Sequence, residues 1–168
     1  KYGTNLSLPD QYANYIGKLL HGDLGESLKY TGTSVNELIG RGIGVTSSLA
    51  LCSFILAIAV GTLLGVFSAL YPRKLIDNIS MSISTIGICV PNYVLAILLM
   101  YVFGLKLGWF PIVGLTGISS YVLPTIALAL NPIANIARLV RSSMIDALNQ
   151  DYMVAARSKG LKTARIVV

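Results

Sequence analysis

The sequence predicts an all-α protein, a polytopic bundle of membrane-spanning helices, and three observations carry that expectation. Of its 168 residues, 54% are hydrophobic and only 12% charged, whereas a water-solvated domain carries about a quarter charged residues. The mean hydropathy is +0.71. Three long windows, residues 42–72, 78–105 and 107–137, contain no Asp, Glu, Lys, Arg or His. A helix needs about 20 mostly apolar residues to cross a hydrocarbon layer roughly 30 Å thick. Buried helices of a soluble bundle would show polar faces at the helical period, and these segments are apolar nearly all round.

Residues 1–42 contain no apolar run of that kind and read as an extracytoplasmic segment; residues 43–168 read as the transmembrane domain. Ser34-Val35-Asn36-Glu37 fits a capping box, in which Ser and Glu satisfy helix-start amides reciprocally. The helix it starts would run through Arg41 into a first span at about 45–71. Gly61-x-x-x-Gly65 lies inside that span and permits close helix approach, either within the subunit or across an interface. A second span is expected at about 79–103, interrupted by Pro91. Trp109-Phe110-Pro111 and Gly114-Leu115-Thr116-Gly117 read as a loop, which places the third span at about 120–140, interrupted by Pro132. Each proline removes a helical hydrogen bond and frees a carbonyl. Asn92, Asn131 and Asn135 stand beside them. These five residues would either line a polar translocation path or form packed kinks with satisfied amides. The first residue is Lys1, and the chain ends on Arg165-Ile166-Val167-Val168 without punctuation, so a fragment incomplete at both ends is expected.

Charge sets the direction. Arg73 and Lys74 follow the first span; Arg138, Arg141, Arg157, Lys159, Lys162 and Arg165 follow the third. The loop between the second and third spans holds only Lys106, and residues 1–42 balance four basic against four acidic residues. Lys and Arg collect on the cytoplasmic side, and two crossings separate the basic segments, so both fall inside. Tyr71, Tyr101, Trp109 and Tyr121 suit the headgroup belts at the span ends. The net charge of +6 therefore marks sidedness, not a nucleic-acid partner, which would need a solvated basic face.

Several chemistries have no residues to carry them. Spans without ionisable groups offer no proton relay, and Ser47, Ser48, Ser80, Ser82 and Ser84 have no His nearby in sequence. Cys52 and Cys89 lack metal-type spacing and read as small buried side chains. His21 and Asp23 are too few for a closed metal site. No phosphate-binding G-x-x-x-x-G-K-[ST] loop is present. The expectation is a chain with no catalytic residue, metal or cofactor of its own.

The most specific signal lies in the cytoplasmic segment at 141–165. Asp151 can cap a short helix over residues 152–159, which Gly160 would end in the left-handed conformation. Tyr152, Ala155 and Ala156 share one face, and Arg157 and Lys159 project elsewhere. An interfacial membrane helix carries bulky Leu, Phe or Trp; a small, flat face suits a groove on another protein.

Ala155-Ala156-x-x-x-Gly160 behind a membrane span resembles the cytoplasmic loop motif of ABC-importer permeases. The likeness extends to the oligopeptide/dipeptide branch through His21-Gly22-Asp23-Leu24-Gly25-Glu26-Ser27, Val35-x-Glu37-Leu38-Ile39, Leu107-Gly108-Trp109-Phe110-Pro111 and Ala137-Arg138-Leu139-x-Arg141-Ser142-Ser143. Gln150-Asp151-Tyr152, leading to Ala155-Ala156-Arg157-Ser158-Lys159-Gly160-Leu161, completes a match over residues 12–161. Two positions depart from the family pattern: Val154 stands where the general motif has Glu, and Gly44 where this branch often has Pro. The resemblance implies a permease with about six spans in a bacterial or archaeal plasma membrane. It also implies a second permease subunit, cytoplasmic ATP-binding-cassette subunits using ATP and Mg, and an extracytoplasmic solute-binding protein. Asp151, Tyr152, Ala155, Ala156, Arg157, Lys159, Gly160 and Leu161 would then form the loop that couples to the ATPase. The implied cargo is di- or oligopeptides, with nickel or another small solute as the alternative within the family and a non-ABC channel or carrier outside it.

Overall fold

The computed structural model describes residues 6–114 and 117–160. Among them all regular structure is helical apart from one isolated bridge between Glu26 and Ser34. The chain divides into two compact units, Lys1–Ser48 and Leu49–Val168.

The first unit adds an element absent from the sequence expectation, α1 (Leu8–Leu20). Ser7 caps it, accepting the Asp10 amide at 3.5 Å, and Pro9 occupies its first turn, where a missing N–H costs nothing. Gly22, at φ +76°, ends it: the Gly22 amide returns to Leu19 O and the Asp23 amide to Lys18 O, both at 2.9 Å. That is the Schellman pattern, which satisfies two orphan carbonyls. Asp23 then accepts the Gly25 amide at 2.9 Å, and His21 bonds Gly17 O, so both side chains are spent on their own turns. A cleft of about 730 Å³ beside α1 is lined in part by Gln11, Tyr15, Lys18, Leu24, Leu28 and Val35.

Helix α2 (Val35–Leu70) is unbroken. Ser34 Oγ accepts the Asn36 amide at 3.2 Å. Glu37 does not reach back to close the box; its carboxylate takes Arg41 at 2.6 Å. Further along, Ser53, Ala57, Gly61, Gly65 and Ser68 are buried in a row of small residues, while Leu51, Phe54, Ile55, Ile58, Leu63 and Phe67 stand exposed on the other sides. Large apolar groups outside and small ones inside suit a hydrocarbon solvent, because lipid supplies no hydrophobic force between helices and close backbone approach must do so.

Helix α3 (Leu75–Cys89) follows a four-residue turn. The expected second span is not a single kinked helix: α3 and α4 (Asn92–Leu99), with the π-helical turn Met100–Lys106 behind it, meet at 105°. Pro91 causes the break. A proline disfavours helical geometry in the residue before it, and Val90 is accordingly extended at φ −86°, ψ 121°. Beyond the π-turn the Trp109 amide returns to Phe103 O at 2.9 Å and its ring lies 5.7 Å from that of Phe103.

Pro132 behaves otherwise. Helix α5 (Ser119–Leu148) passes through both Pro124 and Pro132 without interruption. Its buried face, Leu123, Ala127, Ala129, Ile133, Ala134 and Ala137, packs on α2 and α3. Ala57 of α2 with Ala129 and Ile133 of α5 form the buried cluster, covered by Leu56, Val60, Leu64 and Ile136. A Cβ placed on Gly61 would lie 2.9 Å from Ile136, and one on Gly65 would lie 2.7 Å from both Ala137 O and Val140 Cβ. The Gly61-x-x-x-Gly65 pair thus serves packing within the chain, against α5. On the adjoining face of α5, Gly87 of α3 approaches Leu130 and Ala134. A short helix, α6 (Asp151–Ser158), closes the described chain.

Candidate functional site: the short helix α6 and the ion pair behind it

Only Asn149 and Gln150 separate α5 from α6. Their amides bond Asp146 O and Ala147 O at 3.3 and 3.2 Å, and the Met153 amide takes Gln150 O at 3.0 Å. The linker is therefore hydrogen-bonded on both sides. Asp151 is the first residue of α6, where a carboxylate favours the positive end of the helix dipole. The last turn closes with the Lys159 amide on Ala155 O at 3.2 Å, and Gly160 follows at φ +79°. No atom lies within 4 Å of a Cβ placed on Gly160, so a side chain there would suffer from backbone strain, not from crowding.

The faces of α6 are unequal. Met153 is buried, 5% exposed. Tyr152 is 61% exposed, Ala155 and Lys159 are also exposed, and Ala156 is half-buried. Of the residues singled out in the sequence, Tyr152 and Ala155 thus present a free surface with Lys159 one turn further on, and Ala156 lies at its edge. Arg157 belongs to the helix; Leu161 falls outside the described residues.

The path candidates are only partly brought together. Asn135 Nδ2 donates to Asn131 O at 3.1 Å and to Asn131 Oδ1 at 2.8 Å, beside Pro132 on α5. Pro91 and Asn92 start α4 and are exposed. Among the described residues no hydrogen bond joins Asn92 to either of the other two.

A further cluster gathers residues that the sequence shows only as separate charges. Asp77, in the first turn of α3, is 3% exposed. Arg141 of α5 grips it with both prongs, Nε to Oδ1 at 2.6 Å and Nη2 to Oδ2 at 2.8 Å. Ser68, in the last turn of α2, donates its hydroxyl to Oδ1, and Arg141 Nε also reaches Ser68 Oγ at 3.1 Å. The Arg73 amide completes the set, donating to Oδ2 at 2.7 Å. Arg73 stands at φ +61°, with the Lys74 amide on Tyr71 O at 3.2 Å. With Pro72 ahead of it, this is a type II turn carrying Arg where Gly or Asn is usual. Hydrogen bonding from Arg141, aided by Ser68 and the Arg73 amide, holds the Asp77 carboxyl well below the usual carboxylate range despite the opposing effect of burial. Asp77 in turn raises Arg141. The preceding turn of α5 also reaches α3, since Arg138 Nη2 donates to Thr85 Oγ1 at 3.0 Å.

Comparison with known proteins places this arrangement. The family described as the binding-protein-dependent transport system inner membrane component matches residues 61–168, which include α3 to α6 and the whole Asp77 cluster. The chain belongs to that family. The dipeptide transport system permease protein DppB of Bacillus subtilis (strain 168) is 40% identical over 158 residues, 94% of this chain and 51% of the relative. The oligopeptide transport system permease protein OppB of Salmonella typhimurium is 38% identical over 169 residues, 99% of this chain and 55% of the relative. A DppB of Lactococcus lactis subsp. cremoris is 37% identical over 166 residues, 99% and 55% respectively. The chain spans about half the length of these curated relatives.

Proposed function

We propose that this chain is the membrane part of a permease subunit in an ATP-driven importer of di- or oligopeptides, working with a separate ATPase and an extracytoplasmic receptor. The observation that carries the reading is membership of the transport family together with relatives named as dipeptide and oligopeptide permeases along nearly the whole chain. The geometry of α6 supports it: a short helix joined to a spanning helix by two residues, with Tyr152 and Ala155 exposed. A second permease subunit would supply the other wall of the path, and the residues offered for this wall are Pro91, Asn92, Asn131, Pro132 and Asn135.

Coupling follows from the same geometry. The ATPase would seat on the face of Tyr152, Ala155 and Ala156, and its closure would displace α6 and α5 as a rigid body. Lys159 would flank that contact, with Asp151 and Gly160 fixing its two ends; Arg157 and Leu161 are assigned to the same loop by the family resemblance alone. The test reconstitutes the full-length protein with its companion subunits in proteoliposomes and follows labelled peptide and ATP together. Ala156→Trp or Gly160→Leu should abolish ATP-driven uptake while leaving membrane insertion intact. Uptake equal to the parent's in both variants would overturn the coupling role, and nickel accumulation in place of peptide would overturn the cargo.

A further inference from the structure

The Asp77 cluster joins three parts of the chain through five hydrogen bonds. Ser68 comes from the end of α2, the Arg73 amide from the turn, and Arg141 from α5. Elsewhere these helices meet through small surfaces, such as Gly61 and Gly65 on Ile136 and Val140, and Gly87 on Ala134. Such surfaces fit closely but offer few directional bonds. A guanidinium fork on a carboxylate fixes both distance and angle. Arg141 lies about two turns before the end of α5, and the two-residue linker to α6 is hydrogen-bonded on both sides. A push on α6 would therefore arrive at Arg141 with little slack.

We propose that Asp77 and Arg141 are positioning residues for transport, clamping the ends of α2, α3 and α5 into one body so that displacement of α6 is delivered to the spans. The inference rests on the importer reading above and adds to it the point at which force leaves α5. Without the clamp α5 can shift against α2 and α3 along their small-residue seams, and the motion is lost there. Arg138 on Thr85 is a single bond between exposed groups and does not replace it.

The experiment uses the full-length permease assembled with its companion permease, ATPase and receptor in proteoliposomes. Labelled peptide taken up and ATP hydrolysed are both measured per assembled complex, and their ratio is the readout. Asp77→Asn, which keeps the shape and removes the charge, should lower that ratio roughly five-fold or more, the lower end of a coupling between sites, while hydrolysis continues. Arg141→Lys keeps the charge but cannot form the fork, and should lower the ratio in the same direction. A cluster that only stabilises the fold would reduce uptake and hydrolysis together; an unchanged ratio in Asp77→Asn overturns the proposal. If that variant does not assemble, a parent-like ratio in Arg141→Lys overturns it equally. A parent complex that hydrolyses ATP without moving peptide would instead overturn the importer reading, so the two failures are distinct.

Discussion

Donors from three segments converge on Asp77, and that convergence makes one carboxylate sensitive to acid in a predictable way. Its folded-state pKa is depressed, chiefly by Arg141. The stability it contributes is therefore complete above the unfolded-state value near 4 and is lost as the pH falls below that toward the folded value. In detergent, Asp77→Asn should unfold about 3 kcal/mol more easily than the parent, the lower end for breaking a buried pair, because Arg141 keeps part of its surface in water. That difference should hold between about pH 8 and pH 5 and narrow below about pH 4. A gap that closed on raising the pH from 6 to 8 would contradict the assignment. Local charge counting sets Asp77 against its neighbours Arg73 and Lys74, whereas its true partner stands 64 residues away. Nothing in the spacing of residues records that pairing, because it depends on how α3 and α5 pack. Gly160 is different: it acts through its own backbone conformation, at φ +79°, so its place behind α6 can be read directly from the sequence, whereas Asp151, expected ahead of a helix over 152–159, is the first residue of α6.

At the level of whole helices, the α2–α5 seam depends on the absence of side chains. Backbone carbonyl and β-branched carbon both stand 2.7 Å from where a Gly65 Cβ would be, and neither can swing aside. Gly65→Leu should cost at least about 2 kcal/mol through overpacking and lower the unfolding temperature in detergent. Gly44→Ala is the control, since nothing lies within 4 Å of that position and alanine favours the helix by about 1 kcal/mol. Equal behaviour of the two variants would argue against the seam. The small-residue motif was visible in the sequence, but not the partner it packs against. Helix α1 was legible too: Ser7 and Pro9 open it, Leu8, Tyr12, Tyr15 and Leu19 follow the helical period, and Gly22 closes it. A criterion tuned to long apolar runs does not register so short an amphipathic element. The break between α3 and α4 was legible at Pro91, whereas its 105° angle was not. Proline dictates where hydrogen bonding stops, and the packing around it dictates how far the chain turns.

Across the molecule the hydropathy pattern was the most readable feature, because hydrocarbon demands long apolar helices whatever their partners. Among the described residues two helices, α2 and α5, are long and apolar enough to cross a membrane, and the bent pair α3–α4 adds a third if it counts as one crossing. On that count both basic segments share a side, as the distribution of Lys and Arg requires; a re-entrant loop would put them on opposite sides. In a protein whose Cys52 and Cys89 are changed to serine, a cysteine at Lys74 should react with an impermeant maleimide only from the cytoplasm, and one at Lys106 only from outside. Labelling of both from one side would exclude the single crossing. How α6 adapts to whatever it touches follows from Met153, a side chain of that helix buried in the protein. An unbranched thioether has three rotatable bonds and fills uneven space with little resistance. Small mismatches at the contact can thus be taken up at this one side chain, while the hydrogen-bonded linker still hands the load on to α5.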